Sequence, residues 1–414
     1  MLEFAQVIKK GLIKNLAKKE HHSLKQTKAN FSLRGHITKV GEDKFFNLKP
    51  KGSDDGKGNK REKGYAGCKM SVKTALDNTV YNVEITGNEQ DNVRYGWKTE
   101  EGPQNVAIDW VDRYNKEVIK QVIPNGVEAN MYGAITIGLE RDTYEDKETK
   151  ELKEYTVKKP MTGYDAVYEI KKAVEEKRLT DETSVYISGR VRPNSWTKIN
   201  DDGTKMHGKN IKLDANRLQL LANPVVFSEM TDEDKKTAAI FNMEVVVKEF
   251  NELNGQTYMT GIVVGYDFIE EMEFKFATED LAKVFKTEFN KELKKGIYPK
   301  IRCEGNIALE AVEEEVEVPV DNKWGEKIVK TRKAPSKQVW VIVFADPNTI
   351  DTESYTEKSV EEAKEQLKAY KEDYNAGKDV RDEEVEEVPV NNWGKSVSKE
   401  EGMDDFEEDA EEWD

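Results

Sequence analysis

Residues 185–192 read Val-Tyr-Ile-Ser-Gly-Arg-Val-Arg, an alternating segment with a glycine near its centre. Alternation of apolar and polar residues predicts a strand with one buried face. Glycine weakens a strand and marks a bulge or a sharp bend, which small barrels use to coil one strand around two sheets. The segment therefore predicts a strand of a small, strongly curved barrel.

The same pattern recurs along the chain as three pairs of glycine-containing strands. The pairs are centred on Gly35 and Gly87, Gly133 and Gly189, and Gly261 and Gly305. Helical periodicity separates the strands of the last two pairs, at residues 164–177 and 279–295, and Gly296 is the predicted C-cap of the second helix. The first pair shows no clear helix. The order strands, helix, strands is that of the OB-fold, a five-stranded, partly open Greek-key barrel.

Charge is distributed unevenly along the 414 residues, whose formal net charge is −16. Residues 381–414 hold 15 acidic and three basic side chains, whereas residues 1–40 hold nine basic and two acidic ones. Residues 2–19 have the apolar spacing of an amphipathic helix with lysines mostly on another face. A basic start and an acidic tail on one chain point to a nucleic-acid ligand.

With this tail and the repeated strand order, the chain resembles tandem OB-fold single-stranded-DNA-binding proteins of bacterial and phage replication. The resemblance covers residues 30–350 and the C-terminal tip. The predicted fold class is mainly β with helices (α+β): tandem OB-like five-stranded barrels plus a disordered acidic tail. The predicted units are a basic amphipathic helix (1–30), three OB-like domains (31–124, 125–225 and 240–350), a charged helix (356–377) and the tail (378–414).

The resemblance implies sequence-tolerant binding of single-stranded DNA in replication, recombination or repair, with no enzymatic activity and no cofactor. In that family the acidic tip docks on replication proteins and competes with DNA for the basic groove. The corresponding partner-binding residues, for a polymerase, helicase or primase, are Asp404, Asp405, Phe406, Trp413 and Asp414. A self-contained array of barrels needs no tetramer, so we predict a monomer.

Single strands are bound by basic grooves with aromatic platforms, because every nucleotide offers a phosphate and every base a π-face. Three segments combine these side chains. The glycine-rich basic loop and its approach supply Phe45, Phe46, Lys57, Lys60, Arg61, Lys63 and Tyr65. An aromatic cluster supplies Trp97 and Trp110. The strand after Gly189 and the segment beyond it supply Arg190, Arg192, Trp196, Lys198, Lys205, His207 and Lys209.

Each segment also has a purely structural interpretation. The loop can be a solvated surface loop, the two tryptophans can be core or interface residues, and the strand can have a plain exposed face. Other function classes stay open as well: a replication interaction scaffold with weak DNA binding, a metal-dependent nuclease, or a virion structural protein.

Several classes are not expected from this sequence. There is no apolar run of about 18 residues, so we expect no membrane span. The first residues lack the apolar stretch and cleavage site of a secretory signal. Two cysteines and four histidines form neither a disulfide framework nor a convincing zinc cluster. The expected location is the cytoplasm, that of the bacterial host cell if a phage encodes the protein.

Overall fold

The computed structural model describes residues 21–54, 59–100, 102–145, 150–199, 204–253, 255–318 and 328–375. Within these ranges, the side chains of residues 196–199, 205, 207, 311–318, 328–335 and 374–375 are not described. The predicted helix at 2–19, Lys57 and the acidic tail with its five partner-binding residues lie outside the described residues.

The described chain is mainly β with helices, in agreement with the predicted class. The strands are β1 (Ala29–Thr38), β2 (Phe46–Lys49), β3 (Tyr65–Lys73), β4 (Thr79–Asn88), β5 (Asn92–Thr99), β6 (Gly102–Asp109), β7 (Asn130–Met131), β8 (Ile135–Glu145), β9 (Leu152–Met161), β10 (Ser184–Ile199), β11 (Lys205–Leu220), β12 (Ala239–Leu253), β13 (Gln256–Val264), β14 (Ile269–Phe276), β15 (Lys300–Val318) and β16 (Ile328–Asp351). The helices are α1 (Lys116–Val122), α2 (Gly163–Glu175), α3 (Asp232–Thr237), α4 (Glu279–Leu293) and α5 (Glu357–Asn375).

Five strands form a first circuit, a series of pairings that returns to the strand where it starts. β1 pairs antiparallel with β3 and β10, β3 pairs with β4, and β10 pairs with β11. A short parallel pairing of β4 with β11 joins the two ends. Helix α2 lies between β4 and β10 in the chain, and it buries Ala166, Val167, Ile170 and Ala173. Thr162 begins this helix by accepting a hydrogen bond from the Asp165 N–H.

A second circuit has the same order of elements. β12 pairs antiparallel with β13 and β15, β13 with β14, and β15 with β16, while a short parallel pairing joins β14 to β16. Helix α4 lies between β14 and β15 in the chain and buries Ala282, Phe285 and Phe289. Val284, one residue before Phe285 on this helix, is 63 % exposed although the 3.6-residue period also allows it on the apolar side. One continuous hydrophobic cluster runs through both circuits.

The pairings of the described residues give two such circuits, which differs from the three predicted units. β10 and β11 were assigned to the unit 125–225, yet they complete the first circuit by pairing with β1 and β4. Residues 92–131 contribute a separate three-stranded sheet of β5, β6 and β7 with its own small core. The hairpin of β8 and β9 pairs with β11 from outside the circuit. The second circuit spans residues 239–351.

The glycines explain where the strands bend. The ladder registers shift between Ser188 and Gly189 in β10 and between Glu304 and Gly305 in β15, as predicted for bulges. A Cβ atom on Gly189 would lie 2.1 Å from the Asp214 carbonyl oxygen. Gly133 is different: it lies in a turn before β8 with φ +67°, not in a strand.

We predict that Gly189→Ala lowers the free energy of unfolding by about 2–3 kcal/mol, because a backbone carbonyl must move to admit the methyl group. Gly41→Ala is the matched control, because a Cβ atom there meets nothing within 4 Å. We expect that control to change stability by less than ~0.5 kcal/mol. Urea midpoints measured by tryptophan fluorescence test this, and equal losses in both variants would contradict the close approach at Gly189.

Candidate functional site

One side of the first circuit carries a concentration of cations around an aromatic ring. Strand side chains alternate, so Cys68, Val83, Val191 and Leu213 are buried inside the circuit. The opposite parity of the same strands faces outward. We call the outward set the cationic face: Lys49, Tyr65, Lys69, Arg190, Arg192 and Lys212.

The register places these residues side by side. Lys69 lies opposite Glu84, and Glu84 lies beside Asp214. Asp214 lies opposite Arg190. The Glu84 carboxylate is 3.0 Å from the Lys212 ammonium and 3.8 Å from that of Lys69. Neighbouring strands thus bring together side chains that are far apart in the sequence.

Tyr65 is half-buried within this face, and the Lys49 Nζ atom lies 6.0 Å from its ring centroid. Partial burial raises the pKa of the Tyr65 hydroxyl, the negative charge of Glu84 raises it further, and Lys212 partly offsets these effects. The ring therefore stays neutral at physiological pH. A neutral, partly exposed ring among cations is what base stacking requires.

The two predicted arginines of β10 differ in their surroundings. Arg190 is exposed and, among the described residues, makes no ion pair. Arg192 pairs with Asp267 and, at 3.8 Å, with Asp214, and its guanidinium lies 5.7 Å from the Phe268 ring centroid. Partial burial and the charge of Glu84 raise the pKa of Asp214, whereas Arg192 lowers it. Arg190 is thus the more available cation.

Beyond the circuit, β10 and β11 continue as a paired arm out to Ile199 and Lys205. Four predicted residues, Trp196, Lys198, Lys205 and His207, have backbone positions on this arm, but their side chains fall outside the described part of the structure. Lys209 is exposed on the arm, 3.8 Å from Glu271 of β14.

The predicted basic loop is divided between core and surface. Phe45 is 3 % exposed and packs edge-to-face on the half-buried Phe46, so it is a core residue and offers no ring to a base. Lys60 is exposed, and Lys63 pairs with Asp91 at 2.7 Å. The backbone of Arg61 exchanges hydrogen bonds with Gly52 and Ser53, which closes a turn. Among the predicted loop residues whose side chains are described, Lys60 is thus exposed without a described ion pair, whereas Phe46, Arg61 and Tyr65 are half-buried.

Trp97 and Trp110 belong to the small sheet at residues 92–131, not to the cationic face. Trp97 is half-buried on β5. The Arg113 guanidinium stacks 4.1 Å from the Trp110 ring centroid and pairs with Asp165 of α2 through two hydrogen bonds of 2.8 Å. The structural interpretation therefore accounts for Trp110, which helps to dock the small sheet on α2.

Sequence reasoning did not select several residues that define the face. Lys49 and Lys69 lie beside the predicted loop residues in the sequence but are not among them, and neither are Lys212, Glu84 and Asp214. The parity of β3 gave a usable signal, because Tyr65 and Lys69 share one side of it. The positions of Glu84, Asp214 and Lys212 required knowledge of which strands are neighbours.

Two general features of the described residues bear on other classes of function. Within the ranges that the structure covers, no three His, Cys, Asp or Glu side chains are grouped so that they could hold a metal ion. No helix of that part of the chain is long and apolar enough to cross a membrane.

Comparison with known proteins assigns the chain to a family. A family profile named YorF matches residues 112–377, well over half of the chain. The chain therefore belongs to the YorF family. None of the curated proteins matches it. Among solved structures, a deletion mutant of the single-stranded DNA binding protein from Thermus aquaticus has 9 % identity and a TM-score of 0.29, covering 69 % of this chain and 88 % of that one. At this level the similarity decides neither fold nor function.

The Asp165 site predicts a pH-dependent stability. Its burial raises the pKa, but hydrogen bonds from Arg113, Tyr114 and Thr162 outweigh burial and hold the pKa below the ordinary 3.8. The charged carboxylate therefore contributes its full stabilisation above about pH 3.8, and this contribution is lost as the pH falls through the lowered pKa.

We predict that Asp165→Asn lowers the free energy of unfolding by about 2–4 kcal/mol at pH 7, because Arg113 loses its anion. The difference from the wild type should shrink as the pH approaches 3. Glu175→Gln, which breaks an exposed pair with Lys171, is the control and should cost about 0.3–0.5 kcal/mol. Urea unfolding at pH 7, 5 and 3 measures this, and a loss independent of pH would contradict it.

Proposed function

We propose that the protein is a non-enzymatic, sequence-tolerant single-stranded-DNA-binding protein that uses the cationic face of its first circuit. The observation that carries this proposal is that the first circuit brings an aromatic ring, Tyr65, together with cations from its strands β3, β10 and β11 and from the adjacent strand β2. Phosphate contacts and base stacking are the two interactions that bind single strands without reading sequence.

The pairing order supports an OB-like interpretation of both circuits. In each, the first strand pairs with the second and fourth, and the third pairs in parallel with the fifth. A helix lies between the third and fourth strands. In an OB-fold, oligonucleotides bind to the face of strands two and three and to the loops that join strands one to two and four to five. In the first circuit these are β3, β4, residues 39–64 and the arm of β10 and β11, which carry the cationic face.

The charge balance of the face also favours a polyanion. Five cations surround two acids, Glu84 and Asp214, so the face retains a positive excess although the chain is acidic. On the second circuit, a helix covers part of the outward side. The covered part lies at Val246, Ile262 and Val264, which pack against Val360 and Leu367 of α5.

The proposal also covers the cellular process in which the protein acts and the role of its acidic tail. We propose a monomer that acts in replication, recombination or repair in the bacterial cytoplasm, with residues 404–414 recruiting replication proteins and competing with DNA. The contacts of α5, the helix that precedes the tail in the chain, support competition. Tyr370 of α5 stacks on His21 at 3.7 Å, and His21 lies 4.1 Å from Tyr266, next to the Asp267 that contacts Arg192. A tethered anion has a high effective concentration near such a face.

Direct binding is tested with oligo-dT, oligo-dA and duplex DNA at two salt concentrations, followed by tryptophan fluorescence. We expect binding to single strands with little base preference and with an affinity that falls as salt rises. Equal binding to duplex would contradict the proposal. If the protein captures replication proteins but does not bind DNA, it is a scaffold. If it assembles into particles and does not bind DNA, it is a virion protein. Mg²⁺-dependent cleavage of single strands identifies a nuclease.

We predict that Tyr65→Ala weakens binding of oligo-dT by about 1–3 kcal/mol, because one stacked base loses its platform. Tyr65→Phe keeps the ring and should bind nearly as the wild type does. Equal binding by Tyr65→Ala and Tyr65→Phe would contradict stacking at this position.

We predict that Arg190→Gln reduces the slope of log affinity against log salt by about 1, because one phosphate contact is lost. Lys283→Gln, which changes an exposed lysine on α4, should leave the slope unchanged.

Deletion of residues 400–414 tests the tail. We expect oligo-dT affinity to rise, most strongly at low salt, because an intramolecular competitor is removed. A truncated chain whose affinity falls would contradict competition. A control that replaces the same segment with a neutral glycine–serine sequence separates the effect of charge from that of length.

A further inference from the structure

The arm of β10 and β11 lies against three acidic residues of the second circuit, two on β14 and one in the turn that precedes it. Asp267 pairs with Arg192. Glu270 accepts a hydrogen bond of 2.5 Å from the Ser195 hydroxyl and one of 3.4 Å from its backbone N–H. Glu271 lies 3.8 Å from the Lys209 ammonium. Both strands of the arm are therefore held by carboxylates from one edge of the other circuit.

The donors held in this way are those that bind phosphate: a guanidinium, a hydroxyl with its backbone N–H, and an ammonium. In the free protein, the three carboxylates occupy positions that phosphate oxygens could take. Part of the arm's positive charge is thus neutralised internally, beside a cationic face that is otherwise open.

These contacts are weak enough to exchange. The Arg192 and Asp267 side chains are 42 % and 41 % exposed, and the Lys209 side chain is 65 % exposed. Ion pairs exposed to this degree contribute little net stability, because water competes for both partners. From Arg192 and Lys212 outward the arm pairs with neither β1 nor β4, so its separation from β14 breaks no circuit pairing.

Glu271 also connects the arm to the rest of the second circuit. Its carboxylate lies 2.8 Å from Lys248 of β12 and 3.5 Å from Lys364 of α5. Lys248 and Lys364 keep their anion when the arm leaves, so the acidic edge stays in place. The arm, not the edge, is the part that is free to move.

We propose that Asp267, Glu270 and Glu271 form a carboxylate clamp that holds the arm closed in the free protein and that the phosphates of a bound single strand displace. The clamp rests on the proposed function, because it names the regulation of the same face. The wild-type protein then binds with lower affinity than the face alone would provide, since each binding event must release the arm. Displacement by anions also favours long polyanions over single nucleotides.

The test compares two triple variants with equal changes of charge. The clamp variant is Asp267→Asn, Glu270→Gln and Glu271→Gln. The control is Asp232→Asn, Glu233→Gln and Asp280→Asn, which neutralises three exposed acids on α3 and α4. We measure oligo-dT affinity and, in the free proteins, hydrogen exchange of the arm amides at residues 191–199.

We expect the clamp variant to bind oligo-dT about 3–10-fold more tightly than the control variant and its arm amides to exchange faster. Equal affinities of the two variants would overturn the clamp, as would unchanged exchange in the arm. If the wild type does not bind oligo-dT while the arm of the clamp variant exchanges faster, the proposed function and displacement by DNA fail, but the contact holding the arm is confirmed.

Discussion

The structure depends on β1 using both of its edges. One edge pairs with β10 from Asn30 to His36. The other edge pairs first with β12, from Ala29 to Leu33, and then with β3, from His36 to Thr38. Because one strand can offer only two rows of hydrogen-bonding groups, the change of partner must occur within two or three residues. Gly35 stands at this point, where a Cβ atom would lie 2.0 Å from the Lys73 carbonyl oxygen.

That shared strand explains why the two circuits have one continuous core and why the arm reaches β14. The ladder between β1 and β12 places the circuits side by side, so the extension of β10 meets the second circuit instead of solvent. Asp267, Glu270 and Glu271 then join the arm to it through ion pairs and a hydrogen bond.

Predictions of burial and of helix bounds agree well with the structure where the spacing of apolar residues along a strand or helix determines which side chains are buried. Val191 is 2 % exposed and its neighbour Arg190 is exposed, as alternation predicts. Helices α2, α4 and α5 lie within one or two residues of the predicted ranges, and the register shifts lie at Gly189 and Gly305. Val284 and Phe45 show the limit of such predictions, because the spacing of apolar residues does not tell which side chain packs against a neighbouring element. The number of circuits could not be predicted, because β11 pairs with β4 across an insertion that interrupts the repeat.

The amino-acid sequence alone was sufficient to establish a mainly β chain with helices, its curved glycine-containing strands and its separation of charge between the two ends. Those properties follow from local periods and from composition, which act over a few residues. The tertiary structure decided which strands became neighbours, and with them the face that combines Tyr65, Lys69, Glu84 and Lys212. Strand pairing depends on backbone hydrogen bonds between distant segments, and any extended segment offers the same backbone groups. Partner choice is therefore settled by packing of the whole core.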